Sequence, residues 1–115
     1  MTASALPGRH LKCGTCSQLG DRENAVEHVL GDEEDTQLPE AANKLEVVRE
    51  VAPSHASLRL LRCPQCGTYY LWRTTYEFLV GFGGSYDEYF LWRLTDEMGA
   101  DYQEGRRSEP LPGME

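Results

Sequence analysis

No segment of this chain is apolar for long enough to cross a membrane. The opening "MTASALPGRHLK" lacks the apolar core of ~7 or more residues that a signal peptide needs. Both absences lead to the expectation of a cytoplasmic protein with no membrane partner. The common signatures of catalysis are missing too. There is no nucleophile motif, HExxH or paired-carboxylate signature, and "GFGG" lacks the Lys-Ser or Lys-Thr that would make it a phosphate loop. It reads as a turn between strands. Asp87 and Glu88 beside it form no recognisable acid–base pair, and His28 and His55 have no ligand-spaced partner. The expectation is a protein that is not an enzyme.

Positive charge is scarce: 11 Lys and Arg face 19 Asp and Glu, for a net charge of −8 and a pI near 4.8. Such a chain is repelled at long range by phosphate backbones and anionic surfaces, and it favours basic partners. The imbalance is uneven. Residues 21–50 hold ten acids against Arg22, Lys44 and Arg49, whereas residues 51–86 hold only Glu77 against Arg59, Arg62 and Arg73.

The 115 residues point to one domain with a modest core. Residues 1–9 read as a flexible lead-in, 10–103 as a single α+β domain, and 104–115, without apolar periodicity, as a disordered tail. "DRENAVEHVL" fits a short helix or an extended arm, with helix preferred, and "GDEED" reads as a charged turn. Over 38–52 the apolar residues Leu38, Ala41, Ala42, Leu45, Val48, Val51 and Ala52 fall at steps of three and four, which predicts an amphipathic helix. Thr36 and Pro39 suit its start, Glu40 and Lys44 an i,i+4 pair, and Pro53 its end.

From Ser57 the period becomes two, and the expected architecture is an antiparallel sheet of about three strands packed against that helix. "YYLWRTT" at 69–75 and "YFLWRLT" at 89–95 form a small internal repeat. Tyr70, Trp72, Tyr76, Phe78 and Val80 would share a face of one strand, and Phe90, Trp92 and Leu94 a face of the other. Joining like faces predicts an odd-length loop or a bulge, with pairs near Phe78–Phe90 and Tyr76–Trp92. Tyr69, Leu71, Leu79, Tyr89 and Leu91 on the opposite faces exceed what one core needs. They lead to the expectation of a cover from a second copy (a homodimer) or from another protein.

All four cysteines fall in two CxxC pairs, Cys13/Cys16 and Cys63/Cys66. Two residues between ligands let a tight turn aim both sulfurs at one ion, and a second pair completes a tetrahedron. In "CPQCG" the proline shapes the turn and the glycine admits a left-handed backbone; "CGTCS" has Ser17 in place of that glycine. The strand-like "GTYYLWRTTYEF" after Cys66 does not suit a redox CxxC, which sits at a helix N-terminus. Redox use, disulfides and free thiols remain the lesser alternatives. His10, three residues before Cys13, could replace a ligand but is expected to be exposed. Lys12 and Arg62, each directly before a pair, could partly offset the two negative charges that four thiolates leave around a dication.

"CGTC" with "CPQCG" between β-type segments resembles the zinc-ribbon group of small zinc-binding modules, over the four cysteines and residues 57–95. That resemblance implies knuckles on β-hairpins and a structural Zn²⁺ held by Cys13, Cys16, Cys63 and Cys66. "CPQCG" is also similar to the rubredoxin iron knuckle, which makes iron the minor alternative. "YEFLVGFGGSYDEYFLWRLT" is similar to segments of uncharacterised bacterial proteins, which implies no function. A closed four-thiolate site leaves no position for a catalytic water. It can contribute on the order of 10 kcal/mol to folding, against a typical net stability of about 5–15 kcal/mol.

The functional expectation is a small acidic zinc-binding protein-interaction module, of the inhibitor or immunity type toward a basic partner. The alternative is a nucleic-acid-binding zinc ribbon that stacks bases on Tyr69, Trp72 and Trp92 beside Arg59, Arg62, Arg73 and Arg93. The charge balance makes that the weaker reading.

Overall fold

A computed structural model describes residues 8–30, 37–52, 57–79 and 84–114, with the backbone alone at 27–30, 52, 76–79 and 84–87. Five antiparallel strands form one sheet: β1 (Arg22–Leu30), β2 (Glu46–Ala52), β3 (Leu58–Arg62), β4 (Tyr69–Leu79) and β5 (Gly84–Arg93). Their order is β1-β5-β4-β3-β2. One α-helix, α1 (Asp96–Gln103), follows β5, and short 3₁₀ helices occupy Gly8–Lys12, Cys16–Gln18 and Glu40–Lys44. The class is α+β, but the sheet has five strands rather than about three. No helix among the described residues is long and apolar enough to cross a membrane.

The helix expected over 38–52 is absent. Its first half is the 3₁₀ turn Glu40–Lys44 and its second half is β2. Two causes combine to mimic a helical stripe. A 3₁₀ helix repeats every three residues, and its hydrogen bonds join Ala42 to Pro39 and Leu45 to Ala42, which spaces Ala42 and Leu45 as a helix would. A bulge then shifts the β2–β3 register between Val47 and Arg49, so strand residues also recur at odd steps. The segment preferred as a short helix is likewise extended: it is β1, paired along β5. Thr36, Pro53, His55 and the "GDEED" turn lie outside the described residues, as do residues 1–7 of the lead-in.

The β4–β5 register also differs from expectation. Trp92 lies opposite Leu71, Tyr76 opposite Asp87 and Phe78 opposite Ser85. Leu79 pairs with Gly84, so an even number of residues, 80–83, joins the strands; these lie outside the described residues. Odd positions of β4 therefore share a face with even positions of β5. The expectation failed because it required the even-numbered faces of the two strands to coincide. Both faces are packed, and strands buried on both sides need no polar alternation.

The first face carries Leu58, Leu60, Leu71, Phe90 and Trp92, closed by Leu94, by Tyr102 of α1 and by Leu111 and Met114. The last two come from the stretch expected to be a disordered tail, yet Leu111 is 9 % and Met114 0 % exposed. The Tyr102 hydroxyl donates to the Glu109 carbonyl at 2.6 Å and anchors that stretch. The second face carries Leu61, Tyr70 and Leu91, covered by Cys13, Cys16, Leu19, Cys63 and Ala41. Leu71 and Leu91, expected to await a partner molecule, are buried by the chain itself.

Thr95 caps α1 by accepting the Met98 N–H at 3.1 Å, with Asp96 and Glu97 in the first turn. Gly99 lets the helix approach the sheet, because a Cβ there would lie 2.3 Å from ring carbons of Tyr69.

Candidate metal centre

The second cysteine pair occupies the turn between β3 and β4. Gly67 N–H donates to the Cys63 carbonyl and Cys63 N–H to the Thr68 carbonyl, both at 2.9 Å. Gly67 has φ of +79°, the left-handed conformation expected of the glycine after a knuckle. The turn aims N–H groups of Gln65 and Cys66 at Cys63 Sγ, and that of Thr68 at Cys66 Sγ. Thr68 Oγ1 lies 3.1 Å from Cys66 Sγ. Such donors stabilise the thiolate form.

The first pair joins the two N-terminal 3₁₀ helices, with Cys13 directly after the first and Cys16 opening the second. Cys13 N–H donates to the His10 carbonyl at 3.3 Å, and Ser17 N–H to the Cys13 carbonyl at 3.0 Å. Gln65 ties the two turns together. Its Oε1 accepts from Thr15 Oγ1 at 3.1 Å and from Cys13 Sγ at 3.4 Å.

The four Sγ atoms lie within 4.8 Å of one another. Cys13 and Cys63 are 3.7 Å apart and Cys16 and Cys66 3.5 Å, and all four are free thiols. Metal–sulfur bonds of about 2.3 Å at the corners of a tetrahedron place neighbouring sulfurs roughly 3.8 Å apart, so the cluster fits one ion. Cys13, Cys16 and Cys63 are buried and Cys66 is half-buried. Burial pushes the Cys16 and Cys63 thiols up. Burial acts on Cys66 in the same direction. The hydroxyl and N–H of Thr68, with the Cys16 and Cys13 thiols, outweigh it and lower Cys66 to about 7.

All four cysteines singled out in the sequence are thus brought together, and the imidazole of His10 is not part of the group. His10 is buried rather than exposed, and it supports the turn through its carbonyl. Lys12 is exposed; Arg62 is also exposed, stacks 5.1 Å from the Tyr69 ring centroid and donates weakly to the Gly67 carbonyl.

Three supporting residues were not visible in the sequence. Arg9 pairs with Asp96 and donates to the Gly67 carbonyl at 3.0 Å, joining the second knuckle to α1. Tyr70 directs its hydroxyl at Cys16 Sγ. Arg93 holds the Cys16 and Leu19 carbonyls. No spacing rule marks these three. Only the register of β4 against β5 brings Tyr70 and Arg93 side by side.

Beside the cluster, on the same face, lies a groove of about 600 Å³. Leu61, Trp72, Tyr89 and Leu91 line it from the sheet, and Leu38 and Ala42 from the segment before β2. Arg59 lies 4.9 Å from the Trp72 ring centroid, and Trp72 stacks on Tyr89 with centroids 6.1 Å apart.

Fold and site together define an α+β protein whose antiparallel sheet carries a four-cysteine cluster able to hold a metal ion. No family model, curated protein or solved structure matches the chain.

Proposed function

We propose that the cluster holds one structural Zn²⁺ and that the protein acts as a protein-interaction module toward a basic protein partner, in the manner of an inhibitor or immunity protein. The carrying observation is the convergence of four sulfurs, within 4.8 Å of one another, from turns fifty residues apart in the chain. Four thiolates with buried approaches suit zinc, and a sphere filled by protein leaves no position for substrate. The proposal is therefore of a protein without catalytic activity. Thiolate ligands also suit a reducing compartment, and the cytoplasm is the proposed location.

The groove and the neighbouring edge strand support the interaction reading. Val47 is 55 % and Val48 37 % exposed on β2, next to the groove, in the most acidic stretch of the chain. Exposed valines on a strand that also carries Glu46 and Glu50, in a chain of net charge −8, suit a basic partner steered by electrostatics. The nucleic-acid reading gains less. Its aromatic and basic residues are divided between the two faces, and Arg93 is buried.

Native mass spectrometry with metal analysis tests the first half: one zinc per chain is expected, and a metal-free chain with a disulfide mass loss would overturn it. Photo-crosslinking from position 47 in cells tests the second. The protein captured, once purified, should associate at a rate that falls with ionic strength and should bind Trp72→Ala poorly. A position 47 that captures nothing, or a captured protein indifferent to salt and to Trp72→Ala, would count against it.

A further inference from the structure

Arg93 is an unusual residue to find buried at the end of a strand in a small sheet. Its side chain is 2 % exposed. A buried guanidinium requires partners for its donors, and this one has them in one direction only. Nη2 donates to the Cys16 carbonyl at 3.0 Å and to the Leu19 carbonyl at 2.7 Å. Nη1 pairs with Asp21, and Nε donates to the Tyr70 hydroxyl at 3.2 Å. The backbone follows: Arg93 N–H donates to the Asp21 carbonyl at 2.8 Å. Every one of these contacts reaches the first cysteine turn, the chain leaving it, or the tyrosine directed at Cys16.

The turn needs that support. Its 3₁₀ helix, Cys16–Gln18, has only three residues, and the segment from Gly8 to Gly20 belongs to no strand. The second knuckle is fixed differently, by β3 and β4 on either side and by Gly67. Arg93 gathers two carbonyls of the first turn, and its Nε holds the Tyr70 hydroxyl, which is a hydrogen-bond partner of the Cys16 thiol.

Resting on the metal reading above, we propose that Arg93 and Tyr70 are positioning residues of the metal site. Neither ligates. Arg93 sets where the Cys13/Cys16 turn stands against the sheet, and it orients the Tyr70 hydroxyl, which donates to Cys16 Sγ. Ligand orientation by such neighbours commonly changes metal affinity about 10–100-fold.

The test uses the full chain with zinc and with cobalt(II), whose thiolate absorption bands report ligand geometry. Tyr70→Phe keeps the ring and removes only the hydroxyl. It should stay folded, bind zinc about tenfold more weakly and shift the cobalt bands. Arg93→Lys keeps a positive charge but cannot serve the two carbonyls, Asp21 and Tyr70 together, and should weaken zinc at least as much. Arg22→Gln, on the other face against Trp92, should leave both readouts as in the wild type. If Arg93→Lys fails to fold, Tyr70→Phe decides alone. Zinc affinity within about twofold of wild type and unchanged cobalt bands in the folded variants would overturn the proposal. A wild-type chain that takes up no metal would overturn the metal reading itself, and this one with it.

Discussion

At the scale of single residues, Gly99 shows how backbone proximity can outrank helix propensity. Alanine is the better helix former by about 1 kcal/mol. Here its methyl group would meet Tyr69, whose ring cannot readily move away. The Tyr69 hydroxyl donates to Gln103 Oε1 at 2.8 Å and Arg62 stacks on the ring. Overpacking of this kind costs roughly 1–3 kcal/mol, so Gly99→Ala should lower the thermal midpoint despite its propensity. A raised midpoint would show that α1 slides off Tyr69 at little cost. The Tyr69→Ala, Gly99→Ala double variant should lose less than the sum of the two, because they remove and fill the same space.

Residues also differ in how far the sequence exposes their role. The cysteines announce themselves, since a CxxC pair is a local pattern with a local geometric reason. Arg93 does not. Within "YFLWRLT" it reads as one more polar residue of a strand, and its burial depends on a turn seventy-seven residues earlier in the chain.

Among the elements, the central strands were legible and their surroundings were not. β4 and β5 carry aromatic residues on both faces, β3 alternates leucine with arginine over its first residues, and those patterns are sufficient to mark strands. β2 failed as a reading because a 3₁₀ turn and a bulge reproduced the spacing of a helix. α1 was missed although Thr95, Asp96 and Glu97 form a start signal. The glycine inside it and its short length weakened the apolar stripe. The last segment gave no periodic signal at all, because only Leu111 and Met114 of it enter the core. That packing predicts a definite loss on truncation. Removing residues 109–115 strips two buried side chains and the carbonyl that accepts from Tyr102. Large-to-small changes at such sites cost about 2–5 kcal/mol, so the truncated chain should unfold at clearly lower urea than the full chain. Equal midpoints would mean that Leu111 and Met114 contribute nothing to the first-face cluster.

At the scale of the whole molecule, the two faces depend on the metal to different degrees. Every cysteine lies in or against the second-face cluster, and none is in the first. Metal binding should also respond to pH with a definite sign. Zinc takes thiolates, so it must displace protons from Cys16 and Cys63, whose pKa values are raised, at any pH near neutrality. Cys66, lowered to about 7, adds a further proton to displace only below that pH. Affinity should therefore rise with pH throughout, and more steeply below about pH 7 than above it. Competition titrations at several pH values would show this, and a slope equal on both sides would remove Cys66 from the account. The chain carries one tryptophan in each cluster, Trp72 against the second and Trp92 within the first. With Trp72→Phe and Trp92→Phe as single-tryptophan reporters, chelation should red-shift the emission of Trp72 first. Trp92, held by Leu60, Leu71, Phe90 and the C-terminal segment, should follow only under stronger denaturing conditions. Two reporters that shift together, at the same chelator concentration, would show instead that the sheet transmits loss of the metal to both faces as one cooperative unit.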